Sequence, residues 1–357
     1  MAALTDLSTL AAHPVVQAPM AGGTSTPALA AAVAEGGGVG FLAAGFRTAE
    51  AMREEIAQVR RLTSRPFGVN VFLPQRETAD PARVEDFAAR LAGEATRYGT
   101  FLGDPGTGGD AVLEDAYGAK IEALLEDPVP LVSFTFGCPE PAVLRAFGDA
   151  GTVTVVTVTS VAEARAAEEA GAAAVCVQGA EAGGHQSTHR DDPERDGTET
   201  GLLVLLPQVR EAVSLPLVAA GGIMRGAQIA AVLAAGADAA QMGTAFLACP
   251  ESGAHPVHKR ALTDPDFAET ELTRAFTGRP ARGLVNRYLR EHGRYAPPGY
   301  PRIHFLTAPV RGAAAAAGDP GAMALWAGQG HAMARELPAI DLVRLLAAEL
   351  DSARSAL

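Results

Sequence analysis

The densest chemistry in the chain lies in eight residues, Gln178-Gly179-Ala180-Glu181-Ala182-Gly183-Gly184-His185. They follow an apolar run, Ala173-Ala174-Val175-Cys176-Val177, that reads as a buried strand. Paired glycines let the backbone approach a ligand closely. The histidine behind them is the side chain most readily tuned to move a proton near neutral pH. Similar clusters of polar residues and glycine recur at Gln17-Ala18-Pro19-Met20-Ala21-Gly22-Gly23, Asn70, Ser133 to Gly137, Ala220 to Ile223, and Gln241-Met242-Gly243-Thr244.

Each cluster ends a short apolar run. Runs at 15–19, 39–43, 67–72, 131–136, 152–158, 173–178, 217–221 and 239–242 read as eight strands. Helix-compatible stretches fall between them, at 26–35, 48–62, 111–125, 139–147, 160–170, 202–213 and 226–235. Gly36-Gly37-Gly38, Gly171 and Gly236 stand where a helix must end before a strand begins. Continuous apolar strands alternating with helices predict a parallel sheet covered on both faces. Eight such units predict an α/β fold, a closed (β/α)8 TIM barrel. An open doubly wound sheet is the alternative, but no GxGxxG turn supports it.

The barrel is expected to span 1–249 and 321–357. Residues 250–320, rich in Pro, Gly, Arg and His, read as a small, mainly helical insertion on the substrate side. The stretch 311–321 reads as a linker, and 341–356 as a closing amphipathic helix.

Barrel chemistry sits at the C-terminal strand ends, where all these clusters fall. The seventh and eighth ends suit a phosphate: Gly221-Gly222 and Gly243-Thr244 offer backbone N–H groups and a hydroxyl. The alternative is that these glycines only make tight turns. A flavin above the phosphate could use the amides of Gln17, Asn70 and Gln178, with Met20 on its face. The alternative is that these amides cap loops.

With 357 residues, 48% of them hydrophobic, the chain can bury a large core. A formal net charge of −12, with Lys120 and Lys259 its only lysines, argues against nucleic acid as a partner. Cys138, Cys176 and Cys249 make neither a disulfide framework nor a metal site, so a cytoplasmic location and no metal are expected. Residues 1–20 lack the basic start and long apolar core of a signal peptide, and no membrane span is expected. His189 could pair with His185 on a metal only on a helix with further ligands. Cys138 and Cys176 read as packing residues. Glu181 is expected either to orient His185 or a loop backbone, or to be solvated.

Together these segments resemble the nitronate monooxygenase family, formerly called 2-nitropropane dioxygenases. The matching stretches are QAPMAGG (17–23), FGVNVF (67–72), SFTFG (133–137), QGAEAGGH (178–185), AAGGI (219–223), QMGTAF (241–246), GRPARGLVN (278–286) and LWAGQG (325–330). The resemblance implies an FMN enzyme, with Met20, Asn70, Gln178, Gly183, Gly222, Gln241, Met242, Gly243 and Thr244 at the cofactor and His185 as the catalytic residue. Gly278-Arg279 and Gln329 would border the site. Thr135 stands where the family pattern carries His, which bears on substrate choice more than on flavin binding.

The implied reaction is oxidation of alkyl nitronates, and of nitroalkanes, by O2 to carbonyl compounds and nitrite, by a monomer or homodimer. Two other readings stand beside it. One is an FMN-dependent enoyl-thioester reductase using NAD(P)H; the other is a flavin- or phosphate-binding barrel without turnover.

Overall fold

Strands that are apolar on both faces need cover on both, and here they gain it by closing on themselves. The computed structural model of the chain describes residues 10–195 and 197–356. The barrel strands are Val15–Gln17, Gly40–Ala43, Phe67–Phe72, Leu131–Thr135, Val153–Val158, Ala174–Gln178, Leu217–Ala220 and Ala239–Met242. Strands two to eight pair in parallel in chain order, and the first pairs with the eighth, with Val15 opposite Ala240. The seam between strands one and two is short. Val39 N–H donates to Val15 O and Gln17 N–H to Val39 O, both at 2.9 Å.

Local signals set the alternation of elements. Thr26, Thr48 and Ser160 cap the helices Pro27–Glu35, Ala49–Leu62 and Val161–Ala170 through their side-chain oxygens. Gly171 ends the last of these at φ 92°, a left-handed conformation that lets the chain turn at once into strand six. Val16, Phe41, Leu131, Val155, Cys176 and Val218 come from six strands and form one apolar cluster that fills the barrel. Leu29, Ile56, Phe147, Leu206 and Ile229 join the helices to its outer face. The helix Ala339–Ser355 closes the fold against Gly226–Ala234, where Gly226 N–H donates to Glu349 Oε2 at 2.8 Å.

Four features depart from the sequence reading, the first being that the helix expected over 111–125 breaks at Asp115 and Ala116, at φ 45° and 52°, into Ala111–Glu114 and Tyr117–Glu126. Pro81–Arg97 is a helix, although Asp80 accepting from Ala82 N–H and Pro81 at the first position are ordinary start signals. The first part of the stretch read as a linker, 311–316, is instead the end of the helix Arg302–Ala316. Alanine is the strongest helix former, and a run of it hides the amphipathic period. Finally, the region after strand eight carries strands as well as helices. Thr270–Thr273 pairs antiparallel with Ala281–Leu284, which pairs in turn with Gly184–His185. The loop after strand six is therefore held as the third strand of this small sheet, with His185 opposite Ala281.

The signal-peptide reading rests in part on residues 1–9, which lie outside the described residues. Among the described residues no helix is long and apolar enough to cross a membrane.

Candidate active site

A cavity of about 370 Å³ opens at the C-terminal ends of the strands. Met20, Asn70, Gln178, Gly183, His185, Gly222, Gln241, Met242, Gly243 and Thr244 all line it. Gln17 does not. Its buried amide bridges the barrel seam, accepting from Phe41 N–H at 2.9 Å and donating to Ser25 Oγ at 2.9 Å.

One end of the cavity is built from glycine. Gly221 and Gly222 have φ of 140° and 66°, which turns their peptides toward the cavity mouth without a Cβ in the way. The N–H groups of Gly222, Ile223, Gly243 and Thr244 have no hydrogen-bond acceptor among the described residues. A cluster of unsatisfied donors of this kind calls for an anion. Asn70 Nδ2 is taken by Ser133 O, Ser133 Oγ and Thr135 Oγ1, so only Oδ1 remains to accept from a ligand. Thr135 thus orients Asn70. Gln241 Nε2 points to Cys176 Sγ at 3.3 Å, which likewise leaves its oxygen free.

Gly183 explains why the Gly-Gly pair is needed. A Cβ there would lie 2.4 Å from Gly328 N and 2.5 Å from Ala327 C. This close approach brings the segment carrying Trp326 against the loop of His185.

The other end of the cavity is aromatic. The His185 ring has Phe136, Tyr300 and Trp326 around it, at 5.7, 5.6 and 5.7 Å between centroids. Its Nε2 lies 2.9 Å from Thr277 Oγ1. Gln178 is a splint: Nε2 donates to His185 O at 3.2 Å and Oε1 accepts from Ser187 N–H at 2.8 Å. Its amide therefore fixes the path of the chain into His185 as well as facing the cavity.

Two cations stand near that ring, Arg279 buried and Arg311 partly exposed. Arg279 lies 4.0 Å over the Phe136 ring and donates to Gln75 Oε1 at 2.6 Å. Arg311 lines the cavity, and its partners are Thr307 Oγ1, His304 O and His304 Nδ1, none of them a carboxylate. Burial pulls both guanidinium groups down to about 10, so both stay charged at neutral pH. Burial first, then the charges of Arg279, His304 and Arg311, depress His185 to about 3. His185 is therefore neutral at working pH, a proton acceptor rather than a standing cation.

Other expectations resolve simply. Glu181 orients backbone: both its oxygens accept from Leu202 N–H, at 3.0 and 2.9 Å, at the start of a helix whose own cap residue is Gly201. Gln329 N–H donates to Glu181 O at 3.0 Å. His189 Nε2 meets Thr157 O at 3.0 Å, a structural tie. Burial pushes the Cys138 and Cys176 thiols up to about 11 and about 12, away from thiolate chemistry.

Sequence reasoning missed Thr277, Tyr300, His304, Arg311 and Trp326. A signal existed for His304 and Arg311, which stand seven residues apart on one helix. It was hidden because the Ala run was not read as helix. Trp326, the chain's one tryptophan, sits inside a stretch already singled out.

The depressed histidines set the acid stability. His185, His258 and His304 fall to about 3, about 4 and about 3, each chiefly through burial, against an ordinary 6.5. The unfolded chain binds their protons below 6.5 while the folded one does not. The stability they contribute is therefore complete above 6.5 and is lost as pH falls from 6.5 through their folded values of about 3 and about 4. We expect the calorimetric Tm to decline steadily across that window, beginning above the range where carboxylates titrate. A Tm that stays flat to pH 4 would contradict the neutral state of these rings.

Comparison with known proteins agrees with this geometry. The family model described as nitronate monooxygenase matches residues 2–349. A nitronate monooxygenase of Pseudomonas aeruginosa is 43% identical over 355 residues, covering 95% of this chain and 96% of its own. The solved structure of a nitroalkane oxidase from Streptomyces ansochromogenes superposes with a TM-score of 0.94 at 65% identity, covering 98% of this chain and 99% of that one. FabK from Thermotoga maritima is more distant, with a TM-score of 0.70 and 28% identity, covering 98% and 96%.

Proposed function

The chain belongs to the nitronate monooxygenase family and is an oxidoreductase, and from that premise we propose that it oxidises alkyl nitronates with O2 on bound FMN. Neutral nitroalkanes are substrates once deprotonated, and the products are a carbonyl compound and nitrite. The observation that carries this reading is one cavity with two unlike ends. Unsatisfied backbone donors stand at the glycine end, and a neutral histidine stands among aromatic rings at the other.

FMN fits the residues present. The N–H groups of Gly222, Ile223, Gly243 and Thr244 would hold its phosphate. Asn70 Oδ1 and the Gln241 oxygen would accept from its polar edge, and Met20 and Met242 would pack on its ring. When bound, FMN takes electrons from the nitronate and delivers them to O2.

The chain supplies the rest. His185 accepts the α-proton of a neutral nitroalkane. The field of Arg279 and Arg311 stabilises the anion so formed, and that anion in turn favours the imidazolium. Phe136, Tyr300 and Trp326 keep water from the ring of His185, which strengthens every charge interaction around it.

The test is an anaerobic titration of the purified yellow protein. Nitronates are expected to bleach the flavin, and NADH or NADPH to leave it oxidised. A colourless protein that takes up no FMN overturns the reading. So does one bleached by a nicotinamide but not by nitronates, which would point to an enoyl-thioester reductase.

A further inference from the structure

Three histidines line the cavity among the described residues, and the partner of each fixes where its proton sits. His258 Nε2 lies 3.0 Å from Trp326 O, which can only accept, so that nitrogen carries the hydrogen. His304 Nδ1 lies 3.3 Å from an Arg311 nitrogen, which can only donate. The lone pair of His304 is therefore on Nδ1 and already engaged.

His185 is the less obvious case, because its partner is a hydroxyl. Thr277 is 2% exposed and has one proton to give. Its Oγ1 lies 2.9 Å from His185 Nε2 and 3.3 Å from Arg279 O. Among the described residues no other donor reaches that carbonyl, in a residue only 1% exposed. Were Thr277 to donate to His185, the Arg279 carbonyl would be orphaned. The hydrogen forced onto His185 Nδ1 would also find no acceptor among the described residues. Leaving a buried polar group unmade is the expensive outcome. The relay Nε2–H to Oγ1, with Oγ1–H to the carbonyl, satisfies all of them. Only the Nδ1 lone pair then remains without a partner among the described residues.

We propose that Thr277 is a positioning residue that holds neutral His185 with its hydrogen on Nε2, so that a nitroalkane's α-proton is taken by Nδ1. The proton-transfer half rests on the function proposed above. In that step the α C–H bond breaks and its electron pair passes onto the nitro group, giving the nitronate. The proton bonds to Nδ1, and the resulting imidazolium keeps its Nε2–H on Thr277. His304 cannot substitute, because its lone pair faces Arg311. His258 shows only 9% of its surface, whereas His185 is only partly buried.

The experiment uses protein labelled with ¹⁵N in its imidazole rings and reads two-bond proton–nitrogen correlations. The His185 signals are those missing from His185→Asn. The expected wild-type pattern has hydrogen on Nε2 alone. Thr277→Ser keeps that pattern, and Thr277→Val loses it. In parallel, kcat/KM for a neutral nitroalkane falls by roughly 10- to 1,000-fold in Thr277→Val, below the ~10⁴-fold cost of a wrong histidine tautomer in a serine protease. Thr277→Ser recovers most of it.

A wild-type ring with hydrogen on Nδ1 overturns the proposal. So does a folded Thr277→Val that keeps both pattern and rate. The resonance readout needs no turnover and stands even if the valine variant does not fold. A ring with hydrogen on Nε2 in a protein that oxidises no nitroalkane would remove the functional reading and the Nδ1 proton transfer, but not the tautomer set by Thr277.

Discussion

Replacing His185 by Asn is expected to cut kcat/KM for a neutral nitroalkane by roughly 10²- to 10⁴-fold, the usual worth of a positioned general base. The loss on a preformed nitronate should be at least about tenfold smaller, because that substrate needs no α-proton removed. FMN should be retained. His185 sits at the aromatic end of the cavity, away from the unsatisfied donors of Gly222, Gly243 and Thr244. Its backbone is held independently of its ring, by the pairing with Ala281 and by Gln178 Nε2. Asn fills less of the space among Phe136, Tyr300 and Trp326, and its amide ends near the Nδ1 position, short of the Thr277 hydroxyl that Nε2 contacts. The measurement is steady-state oxidation of one compound presented in both forms, with flavin content read from the visible spectrum. Equal losses on the two forms would mean that His185 orients substrate rather than taking a proton. No loss on either would remove it from the mechanism.

What was legible in the sequence was local, and what was hidden was long-range. The glycines and amides at strand ends announce themselves within a few residues. The ten site residues that the family resemblance assigned within such clusters line one cavity. Gln17 looked like its neighbours but finds its partner, the Phe41 N–H, across the barrel seam. No local pattern distinguishes a ligand amide from a seam staple. The path of His185 was hidden for the same reason: its backbone partner, Ala281, comes from beyond strand eight. Arg311 and His304 were missed for a compositional reason, since the alanine run after Arg311 hid the helix that sets the two seven residues apart on one face. Phe46 was invisible altogether. It reaches the cavity from the loop after strand two by adopting a left-handed φ of 63°, which no sequence rule assigns to phenylalanine.

Phe46 also ties fold stability to the site, and a second large effect follows from it. Its N–H donates to Asp115 Oδ1 at 2.9 Å, and its ring stacks on His304 at 4.6 Å and 8°. Asp115 is in turn paired through Oδ2 with Lys120 Nζ at 2.7 Å, and Lys120 is 0% exposed. Burial alone pushes this lysine down and this aspartate up, and their attraction opposes both. Asp115→Ala would strand a buried ammonium, a loss on the order of 3–5 kcal/mol. With an unfolding entropy of about 2.1 cal/mol/K per residue, that lowers Tm by roughly 4–7 °C. The same change frees the strained Phe46 backbone, so KM should rise with the stability loss.

Two double variants separate these effects. Asp115→Ala with Lys120→Met removes the stranded charge and should regain most of the Tm, but it leaves the Phe46 N–H without its acceptor and KM high. Asp115→Asn with Lys120→Met should regain both. Asn keeps an oxygen for that N–H and tolerates the left-handed conformation that residue 115 adopts at φ 45°. Thermal unfolding of the three variants beside their KM values decides it. If KM followed Tm in all three, Phe46 would have no separate part in the site, and Asp115 would serve the fold alone.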